Sequence, residues 1–456
     1  MLELQELRSA AREIFDEVLE AVDARRAVLG AVEFEGSILR VGHTRFDLRQ
    51  QTKIFSVALG KAAAAMAAAL DERLGDRLTG GVLSAPPASA RPASALALSN
   101  CWRVFEGGHP LPNEASLEAA RAAFELLRAA DDSSALIVFL VSGGGSALIE
   151  SPRDARLTLE DLRETNSVLV SCGASIKEVN AVRRALSAVK GRGFSTSAPR
   201  AAQVTLIISD VGAGRAFDVA SGPTLSPPAD SPPVKNILMR YDLASRLPAS
   251  VLRALEESVA PTELCEPIGA LRAYEVLLDN GHACAAAADA ARARGFVVEA
   301  APDLSEQPVG EGATALVSRL TELFGREGAE RSGVCLISGG EFSCPVRGSG
   351  VGGRNSETAL RCAFEFERIT RERKTESLPG HMLALCAGTD GIDGNSPGAG
   401  ALADETTLAR GRVLGLDASN FLEESDAYGF FERLGDTLLT GATGTNVRDV
   451  RILLAG

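Results

Sequence analysis

Short apolar runs alternate with longer alanine-rich segments along most of the chain. The runs lie at residues 54–59, 135–141, 204–208, 274–278, 334–337, 382–386 and 437–439. They are continuous rather than alternating, the pattern of strands buried on both faces of a parallel sheet. Regular strand–helix alternation then predicts an α/β fold with helices on both sides of the sheet. Ahead of the first run, Leu4, Leu7, Ala11, Ile14, Val18 and Val22 recur at three- and four-residue steps, which predicts an amphipathic helix over residues 1–29.

At 456 residues the chain exceeds what one ordinary core accommodates. A Pro- and Ser-rich stretch at residues 223–233, with the helical segments after it to about Pro261, is the expected interdomain region. The expected domains are 1–260 and 261–456. A second irregular stretch, 302–312, reads as a loop inside the C-terminal domain.

Nearly every apolar run ends in glycine or a small polar residue. The ends are Gly60-Lys61, Ser142-Gly143-Gly144-Gly145-Ser146, Ser209-Asp210, Ser338-Gly339-Gly340-Glu341, Gly388-Thr389-Asp390-Gly391 and Thr440-Gly441-Ala442-Thr443-Gly444-Thr445-Asn446. Ligands on open parallel sheets bind beyond the carboxyl ends of the strands. Glycine lets backbone approach an oxyanion, and a following helix start offers unpaired N–H groups. One such loop alone is an ordinary turn; six in register predict an anion-binding site.

Charge and composition narrow the ligand. The net charge of −13 and the lack of any long Lys/Arg run argue against nucleic acid or an anionic membrane surface as partner. A small anion held by a few cations in a cleft remains compatible. The eight cysteines form no CxxC pair, so neither a disulfide framework nor a zinc site is expected. No apolar span is long enough for a membrane helix, the first helix does not read as a signal peptide, and the expected compartment is the cytoplasm. A homo-oligomer is left open.

Two further clusters carry charge. Residues 347–355 set Arg347 and Arg354 around four glycines, with Gly348, Gly350 and Gly353 in GxGxxG spacing and Asn355 near a helix start. The segment beyond Asn355 is helical and charged rather than a second strand ending in an acid, so a dinucleotide reading fails and a phosphate reading is favoured. A flexible loop with solvated arginines is the competing interpretation. Asn180, Arg183, Ser187 and Lys190 fall on one helical face, either a solvated basic surface or a cationic wall. Ser187 and Lys190 also match S-x-x-K, without the companion motifs of a serine acyl-enzyme. Asp210, Glu341, Asp390 and Asp393 sit at strand ends as candidates to hold Mg²⁺ or take a proton, with helix capping as the alternative for each. The four histidines are scattered, and only His109 lies in a loop-like context. Neither a P-loop nor the protein-kinase signatures are present.

Taken in order, Val57-Ala-Leu-Gly60-Lys61-Ala-Ala-Ala-Ala-Met66, Glu106-Gly-Gly-His-Pro110, Ser142-Gly-Gly-Gly-Ser146, Asn180-Ala-Val-Arg183, Ser187-Ala-Val-Lys190-Gly191 and Ala220-Ser-Gly-Pro-Thr224 resemble the glycerate 2-kinase family, the class II glycerate kinases with a MOFRL-type C-terminal domain. So do Ser338-Gly-Gly-Glu341, Gly352-Gly-Arg354-Asn355, Gly388-Thr-Asp-Gly-Ile-Asp-Gly394 and Thr443-Gly-Thr-Asn446. The resemblance implies phosphorylation of D-glycerate at its 2-hydroxyl with ATP and Mg²⁺. It also implies two unlike α/β domains, the first Rossmann-like, with the active site between them. Lys61 and Arg354 match the family's cleft lysine and arginine, and Asp210 stands as the third catalytic candidate.

Gly60, Ser142, Gly143, Gly144, Gly145, Ser146, Arg183, Lys190, Ser338, Gly339, Gly340, Glu341, Gly353, Asn355, Thr389 and Asn446 are then expected to contact substrate or nucleotide, with Asp390 and Asp210 at the metal. The chain departs from the family after Ser209-Asp210-Val211, where Gly212-Ala213-Gly214-Arg215 replaces a stretch resembling Pro-Gly-Asp-Asp. Ser356 stands where the family has Gln, and Asn395-Ser396-Pro397-Gly398 where it has Thr-Asp-Ala. Those changes leave room for another small hydroxy acid as acceptor, or for a binding protein with weak catalysis.

Overall fold

The computed structural model describes residues 3–87, 98–227, 230–257, 270–327, 333–371 and 379–456. The chain divides into two units, Ala24–Leu277 and the pair Met1–Asp23 with Leu278–Gly456. The boundary expected at residues 260 and 261 lies outside the described residues.

In the unit Ala24–Leu277, three short strands form an antiparallel sheet: β1 (Val32–Glu35), β2 (Ile38–Val41) and β3 (Thr44–Asp47). The main sheet contains β4 (Lys53–Leu59), β5 (Leu78–Ala85), β6 (Trp102–Glu106), β7 (Ala135–Ser142), β8 (Ala202–Ile208) and β9 (Arg272–Leu278), in the order β6-β5-β4-β7-β8-β9. The pairs from β6 through β8 are parallel. Every residue of β7 and β8 is buried, which is why their sequences are uninterrupted by charge. The strand at 274–278, expected to open the C-terminal domain, instead lies beside β8 on the edge of this sheet.

A helical layer adjoins it. The helices Leu159–Ser171, Ile176–Leu186, Val234–Arg240 and Ala249–Glu257 share a core of Leu169, Val182, Ile237, Leu243 and Val251. The segment expected as a linker therefore contributes helices to a packed core. Ser175 and Glu178 form a reciprocal cap that starts Ile176–Leu186, a motif contributing about 1 kcal/mol.

The other unit holds a mixed sheet of β10 (Val297–Ala300), β11 (Val334–Gly340), β12 (Met382–Gly388), β13 (Gly400–Asp404), β14 (Thr437–Leu438) and β15 (Asp449–Ala455), ordered β10-β11-β15-β12-β13-β14. The last strand inserts at its centre, antiparallel to both β11 and β12. The parallel pairing expected from continuous apolar runs thus holds from β6 through β8, whereas the second unit's sheet is mixed. The helix expected over 1–29 breaks into Leu4–Ala21 and Ala24–Ala31, which fall in different units. Leu4–Ala21 buries Leu7, Ala11, Ile14, Phe15 and Val18, and its Arg8 pairs with Asp404 and Asp436.

Candidate active site

In the first unit, β4 and β7 end side by side, and their loops are tied to each other. Lys61 N–H donates to Gly143 O at 2.8 Å, and Ala62 N–H donates to Ser142 Oγ at 3.0 Å. Gly60, at φ +120°, lies so close that a Cβ there would sit 2.2 Å from Ser142 Oγ. Ser142 is buried and its hydroxyl joins the two loops together. A Cβ on Gly143 would lie 1.9 Å from Asp210 Oδ2, so glycine is what lets the Asp210 carboxylate lie against this loop. At Gly144 the same construction comes within 3.2 Å of both His109 Nε2 and Lys61 Cγ. The strand-end pattern thus brings Lys61, His109, Gly144 and Asp210 around one spot. The helix after the glycines, Gly145–Leu148, is a single turn, so it adds little of the dipole that a longer helix would supply.

A cavity of about 270 Å³ opens there, with His109, Gly144, Ser146, Arg183, Lys190 and Asp210 among its lining residues. Arg183 and Lys190 do not share a helical face as expected. The helix ends at Leu186, and Ser187 turns to extended backbone, where it bridges Pro152. Lys190 is buried beyond that turn and pairs with Glu150, which also accepts from Ser187 Oγ at 2.5 Å. Ser187 and Lys190 therefore converge on a carboxylate, an arrangement with no place for an acyl-enzyme serine. Burial lowers the Lys190 pKa, with Glu150 opposing, and burial likewise lowers that of Arg183. Arg183 is held by Asn166, its Nε 3.0 Å from Asn166 Oδ1.

The second unit carries its own charged cluster. Arg354, the first residue of the helix Arg354–Arg371, donates from Nε to Asp449 Oδ2 at 2.5 Å and from Nη2 to Glu341 Oε1 at 2.6 Å. Burial works against its charge, but Asp449 first and then Glu341 and Asp393 raise its pKa above the ordinary arginine value. Asp390 and Asp449 both lie close to Gly388, where a Cβ would be 3.1 Å from Asp390 Oδ1 and 3.5 Å from Asp449 Oδ1. Asp449 has no sequence signature, because it opens a strand that the apolar pattern does not reveal.

Other expected contacts are committed inside the protein. Ser338 Oγ donates to Leu304 O, and Gly340 N–H donates to Asn280 Oδ1 at 2.8 Å. Gly339 packs against the same Asn280. Buried Thr389 donates to Arg448 O and accepts from Val447 N–H, while Asn446 accepts from Arg448 N–H at 3.0 Å.

The glycine-rich segment 348–355 departs furthest from expectation. Four of its amides have these protein partners: Gly350 donates to Glu424 O, Val351 to Asp426, Gly352 to Asn395 and Gly353 to Ser356 Oγ. At the helix start, Asn355 and Ser356 N–H donate to Asp393 at 2.9 and 2.8 Å, and Ser356 Oγ donates to it at 2.6 Å. A carboxylate of this chain thus occupies the place foreseen for a phosphate. The Gly353 and Asn355 amides are used internally, and Arg347 pairs with Glu357. The segment presents the Arg354 side chain for chemistry, and the Asn355 side-chain oxygen is buried without a hydrogen-bond partner. Burial pushes Asp393 up to about 6, against the hydrogen bonds from Ser356 and Asn355.

Among the described residues no group of three or more His, Cys, Asp or Glu side chains is arranged to hold a metal alone. Likewise no helix among them is long and apolar enough to cross a membrane.

Cations and carboxylates gathered at strand ends, on two α/β units, are the equipment of an enzyme that moves a charged group rather than of a nucleic-acid or membrane binder. Residues 10–256 match the model of a domain of unknown function, DUF4147, and residues 334–449 match the MOFRL family. The chain is 32% identical to the glycerate 2-kinase of Pyrococcus horikoshii, across 98% of this chain and 97% of that one. It is 34% identical to human glycerate kinase across 98% of this chain and 93% of that one. The crystal structure of glycerate kinase from Thermotoga maritima superposes with a TM-score of 0.80 at 30% identity, covering 99% of this chain and all (100%) of that one. The chain belongs to the glycerate 2-kinase family, and it is an enzyme of the phosphotransferase class.

Proposed function

We propose that this enzyme transfers the γ-phosphoryl group of ATP to the 2-hydroxyl of D-glycerate, giving 2-phosphoglycerate and ADP, in the cytoplasm. The observation that carries this reading is the small cavity with Arg183 and Lys190 in its lining, beside the loop that carries Lys61. Its size suits a small hydroxy acid, and cations serve both a substrate carboxylate and a phosphoryl group in flight.

In the reaction the 2-hydroxyl oxygen bonds to Pγ as the bond from Pγ to the ADP oxygen breaks, and the hydroxyl proton passes to Asp210. Lys61 neutralises charge on the glycerate carboxylate or the phosphoryl oxygens. Arg354, held by Asp449 and Glu341, serves the nucleotide or the transferring group. Such positioned cations supply most of the catalysis in phosphoryl transfer. Mg²⁺, when bound, would offset the charge on the phosphate groups. It needs only one or two protein carboxylates, and Asp390 and Asp210 are hard oxygen donors of the right kind. The acids missing from 212–215 do not leave a new cation facing substrate alone, because Arg215 pairs with Asp218 at 2.7 Å.

The test is purified protein with Mg·ATP and D-glycerate, ADP release coupled to an optical readout, and phosphorus NMR of the product. A 2-phosphoglycerate resonance is expected. Nucleotide binding without turnover on any of a panel of small hydroxy acids overturns the kinase reading.

A further inference from the structure

A chain of hydrogen bonds beside the cavity has only one consistent direction. Asp218 is buried, and its carboxylate accepts from Arg215 Nε at 3.0 Å and Nη2 at 2.7 Å, with Arg184 at 3.6 Å. A carboxylate between two guanidinium groups accepts and does not donate. Asn180 must therefore turn its amide nitrogen to Asp218, and Nδ2 lies 3.1 Å from Asp218 Oδ1. Its amide oxygen is left to face Ser221, whose hydroxyl donates to it at 3.0 Å. Ser221 has one hydroxyl proton, now spent. Ser146 Oγ lies 2.7 Å from Ser221 Oγ, so Ser146 is the donor across that contact. With its single proton directed at Ser221, Ser146 has only lone pairs to offer a ligand.

The backbone holds this arrangement under strain. Ala220 and Ser221 both adopt left-handed conformations, at φ +51° and +60°, which are unfavourable for a residue with a Cβ. The turn is kept in place by Gly191 N–H to Ser221 O at 3.1 Å and Arg192 N–H to Gly222 O at 2.7 Å. Ser146, Asn180, Asp218 and Ala220 all line the cavity.

We propose that Ser146 reads the second, non-reacting hydroxyl of the acceptor, as a hydrogen-bond acceptor whose polarity Asp218 sets through Asn180 and Ser221. This rests on the kinase reading above and names the class of acceptor: a hydroxy acid carrying a further hydroxyl next to the one phosphorylated. An analogue with hydrogen at that carbon leaves Ser146 unpaired. One with a carboxylate there sets lone pairs against lone pairs. Ser146 is the specificity-determining residue, and Ser221 and Asn180 are positioning residues.

The experiment compares wild type, Ser146→Ala and Ser221→Ala. Each is assayed for D-glycerate phosphorylation, and D-lactate, which keeps the 2-hydroxyl and lacks the second, is titrated as a competitive inhibitor. Removing a hydrogen bond of this kind is expected to lower kcat/KM for D-glycerate about 10-fold or more. The D-lactate inhibition constant is expected to stay within about 2-fold of wild type, since D-lactate never makes the hydrogen bond that Ser146→Ala removes. Ser221→Ala frees the Ser146 proton and is expected to fall between the two, mostly through KM. Equal losses for both ligands in Ser146→Ala, or no loss for D-glycerate, overturn the inference while leaving the kinase reading intact. Absence of D-glycerate turnover in the wild type itself overturns D-glycerate as the acceptor, and this inference with it.

Discussion

Arg354 and Asp449 form an unequal pair: the Asp449 side chain is almost fully buried, with an exposure of 2%, while the Arg354 side chain keeps 34%. The two removals should therefore differ. Arg354→Ala strands a buried carboxylate, for which a cost on the order of 3 kcal/mol is expected. Asp449→Asn leaves an arginine that reaches water and still holds Glu341, costing about 1 kcal/mol. Both should lose turnover, Arg354→Ala by about 10²-fold or more. Denaturant melts beside steady-state rates check this; equal stability losses would show that the pair is not anchored from the Asp449 side.

Lys61 obeys a different logic, since it lies on the loop after β4 with its backbone N–H fixed to Gly143 O. The loop keeps its shape when the side chain is cut back. Lys61→Ala is expected to lower kcat by about 10²-fold or more with little change in melting temperature. A variant with near-normal rate would remove Lys61 from the mechanism.

How far the sequence reveals these features depends on whether the deciding partner is near in the chain. The run at 135–141 needs no distant information, because a strand buried on both faces excludes charge along its whole length. β15 is hidden by its own composition: Asp449 and Arg451 interrupt the apolar run, yet both are buried. Arg451 is accommodated by the Phe342 ring, 3.7 Å from its guanidinium carbon, and by Gly339 O, over a hundred residues away in the chain. The segment 348–355 has the composition of a phosphate loop. Whether its amides are available depends on Asp393, Glu424 and Asp426, which no local pattern connects to it. Lys190 continues the helical spacing of Asn180 and Arg183, but the Pro152 bridge to Ser187 ends the helix first.

The buried Glu150–Lys190 pair gives a further test. Glu150→Gln leaves Lys190 buried without its counter-charge, and a loss of about 3 to 5 kcal/mol is expected. Glu150→Leu combined with Lys190→Met removes both charges and should recover most of that stability, because a buried pair gains little over apolar groups of similar volume. Turnover should not recover, since the cavity has lost a cation from its lining. If the double variant regains full activity, Lys190 is structural only.

Asp393 yields the pH dependence. Its pKa in the folded protein is about 6, against a reference of 3.8, because burial disfavours the charged carboxylate. A raised acid binds its proton more tightly in the folded state. Its contribution to stability is therefore fully present below about pH 4 and is lost as pH rises to about 6. The shift corresponds to about 3 kcal/mol at most. Asp393→Asn cannot titrate, and its amide presents one oxygen where the helix start offers both Asn355 and Ser356 N–H, so it should be less stable than wild type at neutral pH. The wild-type advantage should be larger at pH 4.5 than at pH 7.5, as read from paired denaturant melts. An advantage that grows with pH instead would mean that the helix start, through those N–H groups and its partial positive charge, holds Asp393 ionised throughout, as an ordinary capping carboxylate is held.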